Sequence, residues 1–349
     1  MADAVRSHFA FMNLKTNRIK VAEIAATLRE LLRQKNEYER LIRQVRWGER
    51  ALALVGEGSM LPAGLTAAYA FESLLGWPVI VREAAEFKAY SFPTIQPRSV
   101  LLAVSPSGEN EVLVSLAQAA AKRGATTLAV TQNSEGPLAS ASRGIFRLPG
   151  AEPGACAQTI LVQHAALAYI AVIAARVFSP PQPQLRDLEE EFESLPGHME
   201  WLQTYLTDAV RSLAAQLKGA ARLAILGSGF YYPVALEAAI LAREIKPVRI
   251  EALHPAEKEH VPLPGRWGRD DCILFLSGSS CRTKRVTQEL ASGMKKTQAN
   301  LLSITDRNDR NLSDLCKASI LLPALSEIPG ALLALTFLEW LIGEAATTK

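Results

Sequence analysis

Between Leu101–Val104 and a following alanine-rich segment, the chain reads Ser105-Pro106-Ser107-Gly108-Glu109-Asn110. The chemistry open to such a loop is anion binding. The first N–H groups of a helix have no partner within it and lie at the positive end of its dipole. Ser105, Ser107 and Asn110 add side-chain donors, and Gly108 lets the backbone approach a ligand closely. A phosphate can be held in this way without a lysine. An ordinary N-cap uses the same residue types, and the loop alone leaves both readings open. The turns Gly56-Glu57-Gly58 and Gly227-Ser228-Gly229 do not continue as GxGxxG. No acidic residue follows them at the dinucleotide spacing, which disfavours a nicotinamide site.

The elements that must position this loop alternate. Ala51–Val55, Pro78–Arg82, Ser99–Val104, Thr126–Thr131 and Gly144–Leu148 are short apolar runs with strand character. Leu61–Leu75, Glu109–Arg123 and Cys156–Phe178 have helical spacing. Near-continuous apolar strands separated by helices predict a parallel sheet covered on both faces. The pattern then restarts, with strands over Arg222–Leu226, Val248–Ala252, Cys272–Leu276, Asn300–Thr305 and Ala318–Leu322. Helices are expected over Pro233–Arg243, Val286–Met294 and Ile328–Ile342. Each half opens with a strand ending in Gly-x-Gly and closes with a long apolar helix, the mark of an internal duplication. The expected organisation is a helical segment over 1–45, one α/β domain over 46–178, a Pro-rich and acidic linker with a connecting helix over 179–204, and a second α/β domain over 205–349. Ligands of open parallel sheets bind beyond the carboxyl ends of the strands. In the first half that places Gly56–Ser59, Ser105–Asn110 and Thr131–Gly136 around one site.

Composition narrows the classes. The formal charge is only +3, and no basic block interleaved with aromatics occurs, which argues against a nucleic-acid surface. Lys284-Arg285 and Lys295-Lys296 read as the solvated face of a helix. Cys156, Cys272, Cys281 and Cys316 form no CxxC pair and no zinc spacing, so buried thiols in a reducing, cytoplasmic setting are expected. Thr159–Phe178 is apolar enough for a membrane span, but Gln163, His164 and many alanines favour a buried helix, and no membrane partner is expected. Neither a metal nor a cofactor is called for. Of the five histidines, His164 is expected in the core, and His8 and His198 at the surface.

Taken together, strand–Ser-x-Ser-Gly-Glu–helix and the later Gly-Ala-strand-Thr turn with Pro137-Leu138-Ala139 resemble a sugar isomerase (SIS) domain. Tyr232-Pro-Val-Ala-Leu-Glu-Ala-Ala-Ile-Leu-Ala-Arg-Glu244 resembles the glutamate-bearing helix in the isomerase half of glucosamine-6-phosphate synthase. Glu257-Lys258-Glu259-His260-Val261-Pro262 resembles that enzyme's Glu-x-Lys-His-Gly-Pro segment. The similarity runs from Glu49 to the C-terminus in the same tandem order, with no glutaminase domain ahead of it.

The resemblance implies two doubly wound αβα sandwich domains of SIS fold, a homodimer with sites near the subunit interface, and a sugar phosphate as substrate. Carried over, Ser59, Ser105, Ser107, Gly108 and Asn110 would bind phosphate. Glu244 would be the base moving a proton between C1 and C2, and His260 would assist ring opening, reaching into the neighbouring subunit's site. Helical spacing by itself offers Glu244 a surface ion pair with Arg243 or Lys246 instead, and the adjacent His254 competes for the role of His260. The departures are Pro106 for a glutamine, Asn110 for a threonine, Ala157 for a serine, Leu241 for a lysine and Val261 for a glycine. A lysine-bearing tail is also not found after the last helix. The implied function is an aldose–ketose isomerase or deaminating isomerase on a hexose or amino-sugar 6-phosphate. A fructosamine-6-phosphate deglycase and a non-catalytic sugar-phosphate sensor are the alternatives.

Overall fold

The computed structural model describes residues 20–47, 49–58, 60–150, 156–242, 249–257 and 267–347. Among these residues, ten strands form two five-stranded sheets, and every pairing is parallel. The first contains β1 (Leu52–Gly56), β2 (Val79–Glu83), β3 (Val100–Val104), β4 (Thr126–Thr131) and β5 (Gly144–Arg147), in the order β2-β1-β3-β4-β5. The second contains β6 (Arg222–Gly227), β7 (Arg249–Leu253), β8 (Asp271–Leu276), β9 (Asn300–Asp306) and β10 (Ala318–Leu322). Its order, β10-β9-β8-β6-β7, is the same arrangement repeated. The central strands β1, β3 and β8 are buried at every residue, as continuous apolar runs require when helices cover both faces.

The duplication extends to turn geometry. In each half the first strand ends in Gly-x-Gly, and the second glycine takes a left-handed φ, 61° at Gly58 and 57° at Gly229. The strand-terminal glycines are needed for a different reason. A Cβ on Gly56 would lie 2.6 Å from Val104 O, and one on Gly227 would lie 2.2 Å from Tyr231 O.

The chain divides into two compact units, one of Ala26–Glu152 with Gln158–Glu190, the other mainly Glu191 onward. In the first, Ala53, Val55, Leu101, Leu113, Leu116 and Leu138 build the core on one sheet face. Ala84 and Phe87 belong to it too, from short helical turns over 84–94 that follow β2. The apolar period does not mark these turns, which interrupt one another every three to five residues. The helices Val21–Arg33 and Lys35–Arg43 are amphipathic and bury Leu28, Leu31, Tyr38 and Ile42. Tyr38 Oη donates to Arg147 O at 2.7 Å. Arg176 pairs with Glu39 and, at 3.2 Å, with Glu189, which also receives Lys35. In the second unit, Ala224, Leu226, Ile273, Phe275, Leu290 and Met294 form the matching core. Each fully buried large side chain of this kind contributes about 1.5–3 kcal/mol.

The two long apolar helices, Cys156–Phe178 and Glu327–Thr347, are core helices. Of their most apolar windows, 89% and 94% is buried inside the protein. His164 is fully buried, its Nδ1 3.0 Å from Thr66 Oγ1. His198 is half-buried rather than exposed, and burial lowers its pKa. The Pro-rich stretch is helical from Pro183 to Tyr205, straight through Pro196. Proline suits a first helical turn because no N–H is needed there. The helix is anchored by Phe192, Leu195, Met199 and Leu202, a buried stripe at 3–4-residue spacing.

Candidate functional site

β1 and β3 are neighbours, with Gly56 opposite Val104. After β1 the chain crosses to β2 on one side, and beyond β3 the sheet continues on the other. The loops after β1 and β3 therefore part, leaving a crevice at the carboxyl edge. Glu57 and Gly58 line it from one side; Ser59 lies outside the described residues. Ser105–Asn110 lines the other and leads into the helix Glu111–Lys122.

The loop is held by hydrogen bonds of its own and by β4. Ser105 Oγ accepts from Gly108 N at 3.2 Å, and Ser107 Oγ accepts from Glu109 N at 3.3 Å. Asn110 Oδ1 accepts from Leu113 N at 2.8 Å, so Asn110 is the helix N-cap. Thr131 Oγ1 donates to Pro106 O at 3.1 Å and accepts from Asn133 N at 3.1 Å. Gln132 N also donates to Pro106 O, and Leu138 N donates to Gly108 O, both at 3.0 Å. Gly108 sits at φ 69°, and a Cβ there would lie 3.0 Å from Thr131 Oγ1. The positive φ and the close approach to β4 both call for glycine.

These contacts leave the loop able to bind an anion. A serine hydroxyl that accepts from the backbone still has its own proton to donate. Ser105 is buried, Asn110 half-buried and Ser107 exposed, so the potential donors run from the floor of the crevice to its rim. Capping and anion binding are thus compatible here. Asn110 satisfies the Leu113 N–H, while its amide group retains donors. Thr131 belongs to a loop that the sequence places at this site, but its contact with the Ser105–Asn110 loop is not legible there. It ends a strand in the sequence, and only the pairing of β4 with β3 brings its hydroxyl under Pro106.

Glu244 and His260 lie outside the described residues. The helix Tyr231–Leu241, which leads toward Glu244, is buried over most of its length. His254, the alternative histidine, accepts from Ala256 N through Nδ1 at 3.0 Å, and its ring meets Tyr232 edge-on at 5.1 Å. The first contact holds the ring to its own turn, and the second sets it against the helix Tyr231–Leu241. No group of three or more His, Cys, Asp or Glu suited to a metal occurs among the described residues. Cys272 and Cys281 are buried, and burial raises their thiol pKa values; Cys316 is pushed up to about 11 by the same cause.

The chain resembles known proteins along most of its length. It is 24% identical over 294 residues to glutamine–fructose-6-phosphate aminotransferase (isomerizing) of Chlorobaculum tepidum, covering 84% of this chain and 47% of that protein. The chain therefore spans about half the length of the curated relatives it matches. Among solved structures, the C-terminal domain of glucosamine-fructose-6-phosphate aminotransferase from Francisella tularensis superposes with a TM-score of 0.82 at 19% identity, covering 93% of this chain and 94% of that one. Tagatose-6-phosphate ketose/aldose isomerase from Escherichia coli superposes with a TM-score of 0.72 at 16% identity, covering 93% and 89%. These likenesses confirm the fold expected from the sequence, two tandem SIS-type α/β domains. The SIS domain model matches twice, at residues 47–173 and 216–342, once around each sheet, and the protein belongs to the SIS domain family.

Proposed function

We propose that the protein binds a hexose or amino-sugar 6-phosphate and interconverts its aldose and ketose forms. The Ser105–Asn110 loop carries this reading. It combines hydroxyl donors, a left-handed glycine and a helix N-terminus at the switch point of a parallel sheet. In the proposal the phosphate sits on this loop and on Ser59. Glu244 removes the C2 proton of the open-chain aldose, giving an enediolate, and returns a proton to C1; His260 assists ring opening. A homodimer in which His260 serves the neighbouring subunit's site is part of the same proposal.

The test is solvent-exchange NMR. Wild-type protein in deuterium oxide should incorporate deuterium at C1 or C2 of fructose 6-phosphate, glucose 6-phosphate or glucosamine 6-phosphate. Glu244→Gln should abolish exchange and leave sugar-phosphate binding largely intact. Binding without any exchange in the wild type would refute the enzymatic reading and make the protein a sensor. Release of an amine or amino acid from a fructosamine 6-phosphate would make it a deglycase.

A further inference from the structure

The second unit has a crevice at the equivalent place, where the loops after β6 and β8 part. It is built from Gly227-Ser228-Gly229 and from Ser277–Thr283, which leads into the helix Lys284–Met294. Its floor is a chain of hydroxyls. Thr283 Oγ1 donates to Ser228 Oγ at 2.8 Å, and Ser228 Oγ lies 3.2 Å from Thr287 Oγ1. Ser228 and Thr287 are fully buried.

This crevice already holds a carboxyl group, the side chain of Glu327. A Cβ on Gly229 would lie 2.6 Å from Glu327 Oε1, 3.3 Å from Thr283 Oγ1 and 3.7 Å from Cys281 Sγ. The carboxyl thus rests on the left-handed glycine of the Gly-x-Gly turn, beside the hydroxyl chain. An acidic residue in the first turn of a helix is ordinary, because the helix dipole favours it. Glu327 is set apart by where its carboxyl goes, onto the loops of two other elements. Burial raises its pKa, while the Cys281 thiol and the backbone N–H groups of Arg282 and Phe230 pull it back down by hydrogen bonding to the charged form. The segment before it is fixed as well. Ser280 Oγ donates to Leu325 O at 2.8 Å, and Ser326 N donates to Glu191 Oε2 at 2.8 Å.

We propose that Glu327 is a tethered anion that occupies the second unit's own cradle, and that this cradle accepts a free small oxyanion, a carboxylate or phosphate, once the side chain is removed. Arg282 and Thr283 are exposed, so the crevice is open to such an ion from solvent. The duplication thus keeps two cradles of related build, and in the second the ligand is part of the chain. This inference concerns the second unit alone and does not rest on the sugar-phosphate reading of the first.

The test combines thermal unfolding with alkylation of Cys281 by iodoacetamide, read by peptide mass spectrometry. Cys281 is buried beside the carboxyl and reports on its loss. Glu327→Ala should melt several degrees below wild type and alkylate several-fold faster at Cys281. Sodium acetate, and separately inorganic phosphate, should reverse most of both changes relative to sodium chloride at equal ionic strength. Wild type should show no acetate effect beyond that of chloride. Any phosphate shift in wild type reports on the first cradle, so the two readings fail separately. Should Glu327→Ala not fold, Glu327→Gln is read in the same assays, with smaller changes in the same direction. A variant whose Cys281 reacts at the wild-type rate, or whose stability and reactivity respond no differently to acetate than to chloride, overturns the proposal.

Discussion

Glu339 lies in the middle of the last helix, fully buried, and neither carboxyl oxygen has a hydrogen-bond partner among the described residues. Glu237, equally buried, stands on the helix Tyr231–Leu241, which packs against the last helix. Burial raises the pKa of Glu339 well above the ordinary 4.5, and the Glu237 charge adds to the rise. The sign of the linkage follows. In the unfolded chain the group ionises above 4.5, whereas in the folded protein it stays protonated to higher pH. Its stabilising contribution is complete below 4.5 and is lost as pH rises, by about 1.4 kcal/mol per pH unit, until the folded group ionises. Glu339→Gln keeps the shape and removes the ionisation. The variant should match wild type near pH 4.5 and gain on it as pH rises toward neutrality, with a slope of at most about 1.4 kcal/mol per pH unit. Urea unfolding followed by circular dichroism at four pH values from 4.5 to 7.5 measures the difference. A stability difference that does not change with pH would refute the reasoning, since it would mean that Glu339 titrates alike in the folded and unfolded protein.

Further expectations concern the proposed site. Gly108→Ala puts a Cβ 3.0 Å from Thr131 Oγ1 at φ 69°. It should cost about 1–2 kcal/mol of stability and weaken inorganic phosphate binding measured by calorimetry. Asn110→Ala loses the cap and should cost about 1 kcal/mol. Asn110→Asp keeps the cap but adds a negative charge, so it should retain stability in thermal unfolding and still lose phosphate affinity. Mixing inactive Glu244→Gln and His260→Ala chains in equal amounts should restore about a quarter of wild-type activity if the histidine serves the partner's site, because half the dimers then carry one intact site. No recovery after subunit exchange would place both residues in one subunit's site.

Much of the fold is legible in the residue pattern because parallel strands buried on both faces leave little ambiguity. Val100–Val104 and Cys272–Leu276 can hardly be anything else in chains of this composition. The two Gly-x-Gly turns mark the repeat for the same reason, since left-handed backbone and close packing each restrict the residue to glycine. The turns over 84–94 escape notice because each is shorter than the period that would reveal it. A connecting helix is expected within 179–204, but its start at Pro183 and its run through Pro196 escape because local proline content argues for a linker there, while its buried stripe is spread over three turns. At the site, Ser105, Ser107, Gly108 and Asn110 can be named from spacing and Thr131 from its loop, but what Thr131 and Glu327 touch cannot. They reach the two loops from elements 20 or more residues away, and no local pattern encodes that distance.

The class of the fold, its duplication and the loops that face a ligand follow from local period and from backbone positions only glycine tolerates. What fills the second unit's crevice, and which polar groups share the core, is settled by packing. Those outcomes depend on side chains brought together from distant elements. The Glu327 carboxyl on Gly229 and the Glu339 carboxyl opposite Glu237 exist only after the last helix has packed into its unit.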